Sequence, residues 1–259
     1  MDKDIMRVAE LIKKSAKTVV VTGAGISTEA GIPDFRGADG IYRKLGEDRV
    51  MGIINIDFFR SHPEEFYRFY NEYFIFPEKE PSQAHYILAD WEKRGYIEGI
   101  VTQNIDNLHQ KAGAKRVIAI HSNADYFVCT NIRCKERYSS RAIKSQSYPD
   151  QIPRCDQCSS ILKPDVVLFG ENIYGYMDAQ EMVLTAQVLI VIGSSLTVYP
   201  LAGFVREYSN TWPSFKHDLV IINKGPTALD HVASVKLEVG GSATTGQILQ
   251  KISGLWGKL

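Results

Sequence analysis

The sequence predicts an α/β fold in which a parallel sheet, covered on both faces, carries two insertions, one helical and one holding cysteines. Three observations predict it: short β-branched runs recur along the chain, helical patterns separate several of them, and all four cysteines fall between Cys129 and Cys158. Strands alternating with helices indicate a parallel sheet, because each parallel crossover needs about a helix's length of chain. Composition agrees, since 259 residues at 44% hydrophobic and 23% charged can bury a core and are too apolar for wholesale disorder. Lys+Arg 30 against Asp+Glu 30 leaves no net charge, which removes the global electrostatic case for nucleic acid or an anionic membrane as partner. The longest apolar runs, such as Val188–Ile192, fall far short of the roughly 20 residues that span a bilayer. The charged start Met1-Asp2-Lys3-Asp4 lacks the apolar centre of a signal peptide, so the expected location is the cytoplasm.

Taken in order, the first 16 residues place Ile5, Val8, Ala9 and Ile12 at helical spacing and read as an amphipathic helix. Thr18-Val-Val-Val21 follows as a buried strand and ends in Thr22-Gly-Ala-Gly-Ile-Ser27. Further apolar runs at Gly99–Thr102, Val117–Ile120, Asp165–Phe169, Val188–Ile192, Leu219–Ile222 and Val235–Val239 read as buried strands. Helical patterns cover Ser82–Lys93, Asp178–Gln187 and Pro200–Tyr208. Two stretches interrupt the rhythm: Gly37–Pro81, aromatic-rich over Phe58–Phe76, and Asn123–Pro164, which carries the cysteines. The economical organisation is one domain over 1–259, with the sheet drawn from 1–36, 82–122 and 165–259, a helical insert at 37–81 and a cysteine module at 123–164.

Cys129, Cys134, Cys155 and Cys158 follow the pattern C-x4-C-x20-C-x2-C. Two close pairs in a reducing compartment read as a tetrahedral structural zinc site, closed because four thiolates leave no open position. The competing reading is four unrelated buried thiols, which their clustering in one polar segment disfavours.

The chemistry gathers at strand ends. Gly23-Ala-Gly25 suits a tight turn against a pyrophosphate, although an ordinary strand-to-helix turn explains it equally. Thr28 stands where a dehydrogenase fingerprint wants a third small residue, and no acidic residue closes a second strand about 20 positions on. Gly31-Ile-Pro-Asp-Phe-Arg-Gly37 puts a carboxylate, an aromatic and a guanidinium between two flexible points, as in a loop closing over a ligand. Gln103, Asn104 and Asp106 after one strand, His121 after another, Gly193-Ser-Ser195 and Asn223 after two more all sit where open α/β sheets bind ligands. Helix capping explains Asn104 as well, and a lone histidine is more often structural. Together these strand ends describe one crevice.

In these segments, and in Lys163-Pro-Asp-Val-Val-Leu-Phe-Gly-Glu171, Gly193-Ser-Ser-Leu196 and Ile222-Asn223, the chain resembles the sirtuins, NAD-dependent protein-lysine deacylases, over nearly its whole length. The resemblance implies a Rossmann-like sheet domain, a small zinc-binding domain with a helical lobe, and NAD consumed rather than reduced. It implies that Ala24, Gly25 and Ser195 face the phosphates, Arg36 the nicotinamide ribose side and Asn223 the adenosine. Gln103 would hold the ribose, Asn104, Ile105 and Asp106 would surround the nicotinamide, and Phe35 would shield the reactive carbon. Gly23, Ser27, Asp34, Gly193, Ser194, Gly241 and Ser242 complete the implied cofactor set. His121 would be the general base, assisted by Asn104 and Asp106, and an acyl-lysine peptide would add as a strand beside Val166, Val167, Phe169 and Gly170. Ser122 stands where the family usually has glycine after the histidine, the Cys129–Cys134 gap is longer than usual, and Ser194 replaces a threonine. An ADP-ribosyltransferase using the same site and a non-catalytic NAD-binding module are the competing functions.

Overall fold

The structure, a computed structural model, describes residues 2–74, 79–144, 152–210, 217–241 and 243–257. Its strands are β1 (Thr18–Thr22), β2 (Gly99–Thr102), β3 (Val117–Ala119), β4 (Ser122–Cys129), β5 (Arg137–Ser139), β6 (Leu162–Val166), β7 (Val188–Ile192), β8 (Asp218–Asn223) and β9 (Val235–Glu238). Six form a parallel sheet in the order β3-β2-β1-β7-β8-β9, and three form an antiparallel sheet in the order β5-β4-β6.

Side chains alternate across the parallel sheet, so its continuous apolar runs supply two cores. Val20, Ile100, Ile190 and Val220 pack with the helices Asp2–Lys14, Gln83–Lys93 and Thr245–Leu255. Val19, Val21, Val101, Leu189 and Val191 pack on the other face with Tyr176–Leu184 and Leu201–Asn210. Each such side chain, taken fully out of water, contributes about 1.5–3 kcal/mol. The chain steps outward from β1 to β3, then returns to lay β7 against the other side of β1. Strand order therefore reverses between β1 and β7, and the loops leaving their carboxyl ends diverge into a crevice.

One strand differs from the sequence reading. Asp165–Phe169 was expected in the parallel sheet; the strand spans Leu162–Val166 and pairs antiparallel with β4. The pairing is decided by burial at long range: Leu162 and Val166 pack into the core shared with the helical insert and not against the parallel sheet. Beyond it, Phe169 bridges to Asn55 of the helical insert. The insert and the antiparallel sheet, separate in sequence, bury one shared core: Phe59, Phe66, Tyr67, Phe69 and Tyr70 pack with Phe127, Leu162 and Val166. The Tyr67 hydroxyl donates to the Leu162 carbonyl across that interface. No helix among the described residues is long and apolar enough to cross a membrane.

The four cysteines close the far end of this lobe. Their sulfurs all lie within 4.8 Å of one another, with Cys129–Cys158 at 3.4 Å and Cys134–Cys155 at 3.6 Å. Thiolates placed tetrahedrally at about 2.3 Å from zinc stand about 3.8 Å apart, so the donor set fits that ion. Each pair is built alike. The Asn131 N–H donates to the Cys129 sulfur and the Gln157 N–H to that of Cys155, while Lys135 (φ 55) and Ser159 (φ 60) turn the chain in the left-handed region just after the second cysteine. The longer first gap is absorbed by a turn in which the Cys134 and Lys135 N–H groups both donate to the Asn131 carbonyl. With three thiolates instead of four, Cys155→Ala is expected to lose metal and to unfold this lobe at lower temperature, and metal analysis of the parent chain to return about one zinc per chain. A metal-free parent of unchanged stability would contradict the assignment.

Candidate functional site

The crevice at the β1–β7 divergence begins with two glycines. The Gly25 N–H donates to the Gly193 carbonyl at 2.9 Å, and a Cβ on Gly25 would lie 2.8 Å from the Gly193 Cα. Gly193 itself sits at φ 64. Any side chain there would push the two loops apart. From this contact a cleft of 1490 Å³ opens, lined by Gly23, Ala24, Gly25, Ser27, Asp34, Phe35 and Arg36 of the first loop, by Gln103 to Asp106, by His121, and by Gly193 to Ser195 and Asn223. Val166, Val167, Phe169 and Gly170 line it from the smaller lobe. Gly241 stands in an exposed turn at φ 60, outside the lining, and Ser242 lies outside the described residues.

His121 follows β3 at the point where the chain leaves the parallel sheet for β4. Its Nδ1 lies 2.9 Å from the Gln103 carbonyl, which only accepts, so Nδ1 carries the proton and Nε2 keeps its lone pair. Burial pushes the imidazole below its ordinary 6.5, against the opposing pull of that hydrogen bond. The ring is therefore a neutral base at pH 7. Ser122 beside it adopts φ 56, the left-handed conformation glycine takes freely, at a cost of about 1 kcal/mol.

Beneath Asn104 and Asp106 runs a buried polar network that sequence reading missed. The Ser27 hydroxyl donates to Asp106 Oδ2 at 2.7 Å and accepts from the Asn104 amide at 3.2 Å, which also donates to the Gly23 carbonyl at 3.3 Å. Asp106 Oδ1 accepts the Leu108 N–H at 2.9 Å. His85 Nδ1 accepts the Ser82 N–H at 3.2 Å, leaving Nε2–H toward Ser27, 3.5 Å away. Thr22 donates to Thr102 across paired strand positions, which makes His109 Nε2, 3.0 Å from Thr22, the donor to it. Burial lowers the histidines to about 4 (His85) and about 3 (His109), so both are neutral near pH 7. The signal available in sequence was polar residues on otherwise apolar faces: Thr22 and Thr102 ending buried strands, and His85 between Ala84 and Leu88.

The Gly31–Gly37 loop is held through its side chains, internally by Asp34 and externally by Phe35 and Arg36. Asp34 Oδ1 accepts the Gly37 N–H at 2.8 Å. Phe35 packs on Tyr42 and Phe74, with centroids 5.3 and 6.0 Å away. Arg36 is engaged by Glu47 at 2.6 Å and stacks 4.8 Å above the Tyr42 ring, so a phosphate-bearing ligand would have to compete for it. Gln103 donates to the Val198 carbonyl at 3.3 Å. Ser195 shares a 2.9 Å hydrogen bond with Thr197, and the Asn223 amide donates to the Lys224 and Gly225 carbonyls. Val198 and Tyr199 also line the cleft, unanticipated from sequence.

Comparison with known proteins agrees with this geometry. The model of the Sir2 family matches residues 23–200. An NAD-dependent protein deacetylase of Thermotoga maritima is 43% identical over 235 residues, covering 88% of this chain and 89% of its own. One from Caldivirga maquilingensis is 39% identical, covering 96% and 94%. Among solved structures, a Sir2 protein with a p53 peptide and NAD+ superposes with a TM-score of 0.81 at 37% identity over 98% of both chains. Another, with deacetylated p53 peptide and 3'-O-acetyl-ADP-ribose, reaches 0.84 at 38% identity over 97% of both. This chain belongs to the Sir2 family.

Proposed function

We propose that this chain removes acyl groups, acetyl foremost, from lysine side chains of proteins, with NAD as the consumed co-substrate and nicotinamide and O-acyl-ADP-ribose as products. The observation that carries the reading is that His121 lines the cleft with Nδ1 anchored to the Gln103 carbonyl, which leaves Nε2 the unprotonated nitrogen, while Asn104 and Asp106 share that cleft. NAD supplies the acyl acceptor as ADP-ribose and the leaving group as nicotinamide.

The protein's own groups divide the work. His121 Nε2 takes the proton of the attacking ribose hydroxyl as general base. The Asn104 amide and the Asp106 carboxylate, fixed through Ser27, Gly23 and Leu108, face the nicotinamide and the positive charge that develops as it departs. Phe35, backed by Tyr42 and Phe74, excludes water from the reacting carbon. Ala24, Gly25, Ser194 and Ser195 receive the phosphates, Gln103 the ribose and Asn223 the adenosine end. In the loop after β6, the Val167 carbonyl and the Gly170 N–H have no partner among the described residues, so an extended acyl-lysine peptide finds one acceptor and one donor there. Zinc on the four cysteines is structural. In this reading the helical insert (37–81), the cysteine module (123–164) and the loop that follows it through Gly170 face the peptide, the parallel-sheet domain binds NAD, and the protein works in the cytoplasm.

The test is nicotinamide release that depends on an acetyl-lysine peptide, with products read by mass spectrometry. A transferase would instead label protein with ADP-ribose, and a sensor would release nothing. His121→Ala is expected to lower deacetylation by about 10²–10⁴-fold while NAD binding persists. Undiminished deacetylation would remove His121 from this role.

Acyl preference follows from the aromatic wall. Tyr70 is buried at 2% exposure, its hydroxyl has no partner among the described residues, and burial pushes its phenol far up, so it stays neutral. Tyr73, rather than an arginine, lines the cleft three residues on, and Arg68 is exposed and absent from the lining. With Tyr73 in place of an arginine, an acidic acyl group beside Tyr70 would lack that cationic partner and forfeit hydrogen bonds worth about 1.5–3 kcal/mol each. The expected kcat/KM is at least about tenfold higher for an acetyl-lysine peptide than for its succinyl counterpart. Preference for succinyl would mean that Tyr70 and Tyr73 are not the positions that meet the acyl group, or that Arg68 reaches the pocket.

A further inference from the structure

Lys163 lies on β6 with its side chain 15% exposed, and its ammonium is surrounded by acceptors. It donates to the Pro164 carbonyl at 3.0 Å and the Val166 carbonyl at 2.7 Å, and it pairs with Glu171 Oε2 at 3.0 Å. All three ammonium donors are used. The same Glu171 oxygen accepts the Leu168 N–H at 2.9 Å, and the Glu171 N–H returns to the Leu168 carbonyl at 3.0 Å. Every one of these bonds lies within residues 163–171, so the pair folds a single loop and fastens nothing distant. The Phe169 N–H is taken by the Ile54 carbonyl and the Val167 N–H by the His121 carbonyl. Among the described residues the Val167 carbonyl and both backbone groups of Gly170 are left without a partner, and Val167 and Gly170 line the cleft; the Val167 carbonyl and the Gly170 N–H offer one acceptor and one donor.

We infer that Lys163 and Glu171 form a positioning pair that fixes the spacing of these two backbone groups, and so sets affinity for the acyl-lysine peptide without touching NAD. The inference rests on the deacylase reading. Partly exposed ion pairs add little to global stability. Their loss here would instead release one loop to many shapes, and the incoming peptide would bear the ordering cost.

The experiment uses the full-length, metal-loaded protein. For Lys163→Met, KM for an acetyl-lysine peptide is expected to rise about tenfold, with kcat and KM for NAD within about twofold of the parent and Tm within a few degrees. Glu171→Gln should act in the same direction, and Lys163→Arg, which keeps the charge and several donors, should recover most of the peptide affinity. Unchanged peptide KM in folded Lys163→Met overturns the proposal. So does a parallel rise in both KM values with a fall in Tm, which marks a merely structural role. Failure of both Lys163→Met and Glu171→Gln to fold would overturn it too, because a loop-local pair should not decide folding. Direct titration with a fluorescent acetyl-lysine peptide separates this from the underlying reading. A parent that binds without turnover contradicts deacylation alone, whereas equal binding by parent and Lys163→Met contradicts the positioning pair.

Discussion

The hydrogen bond from His121 Nδ1 to the Gln103 carbonyl joins the end of β3 to the end of β2, and the rest of the site is arranged around it. It exists because β2 and β3 run parallel in register, Thr102 opposite Ala119, so that both strands end at one level. It also decides chemistry. A carbonyl cannot donate, so the imidazole has one tautomer, and its free lone pair belongs to Nε2. At the same junction the chain leaves one sheet for the other. The Ile120 N–H donates to the Thr102 carbonyl, the His121 carbonyl accepts from Val167, and Ser122 makes the turn at positive φ. The conformational cost at Ser122, about 1 kcal/mol, is comparable to one such hydrogen bond. His121, the loop after β2 and the loop after β6 thus meet at one hydrogen-bonded corner.

A second constraint is the backbone contact of Gly25 with Gly193, which holds the loops of β1 and β7 together at the point where strand order reverses. Behind it, the network from His109 through Thr22 and Thr102, and from His85 through Ser27 to Asp106, keeps polar groups satisfied in a buried setting. Unpaired, each would cost about 1–3 kcal/mol. The His109 Nδ1 is a buried atom that lacks a partner among the described residues. Both histidines are held neutral, so Thr22 donates to Thr102 and Ser27 to Asp106. That directionality keeps the Asp106 carboxylate an acceptor on both oxygens.

Much of this was legible in the residues for identifiable reasons. Val19–Val21 and Val188–Ile192 are continuous apolar runs because a parallel strand between two helical layers has no solvent face. Cys129–Cys158 announced its cluster because two close thiol pairs have few other uses in a reducing setting. Polar residues at Gln103, Asn104, His121 and Asn223 stood out by ending such runs. Asp165–Phe169 misled because which strand a short apolar segment joins is decided by long-range pairing, here with β4. The shared core of the helical insert and the cysteine sheet is equally non-local, since Phe66 and Leu162 carry no mark of each other. His85 looked like any histidine on a buried helical face, and the Arg36–Glu47 pair depends on how the loop folds back over Tyr42.

Nitrogen-detected NMR of His121 across a pH titration tests the central claim most directly. The hydrogen bond to Gln103 and the burial of the ring require a neutral imidazole protonated on Nδ1, with Nε2 unprotonated and a pKa below 6.5. An Nε2-protonated tautomer, or a ring still charged at pH 7, would leave no lone pair facing the cleft and would contradict the mechanism.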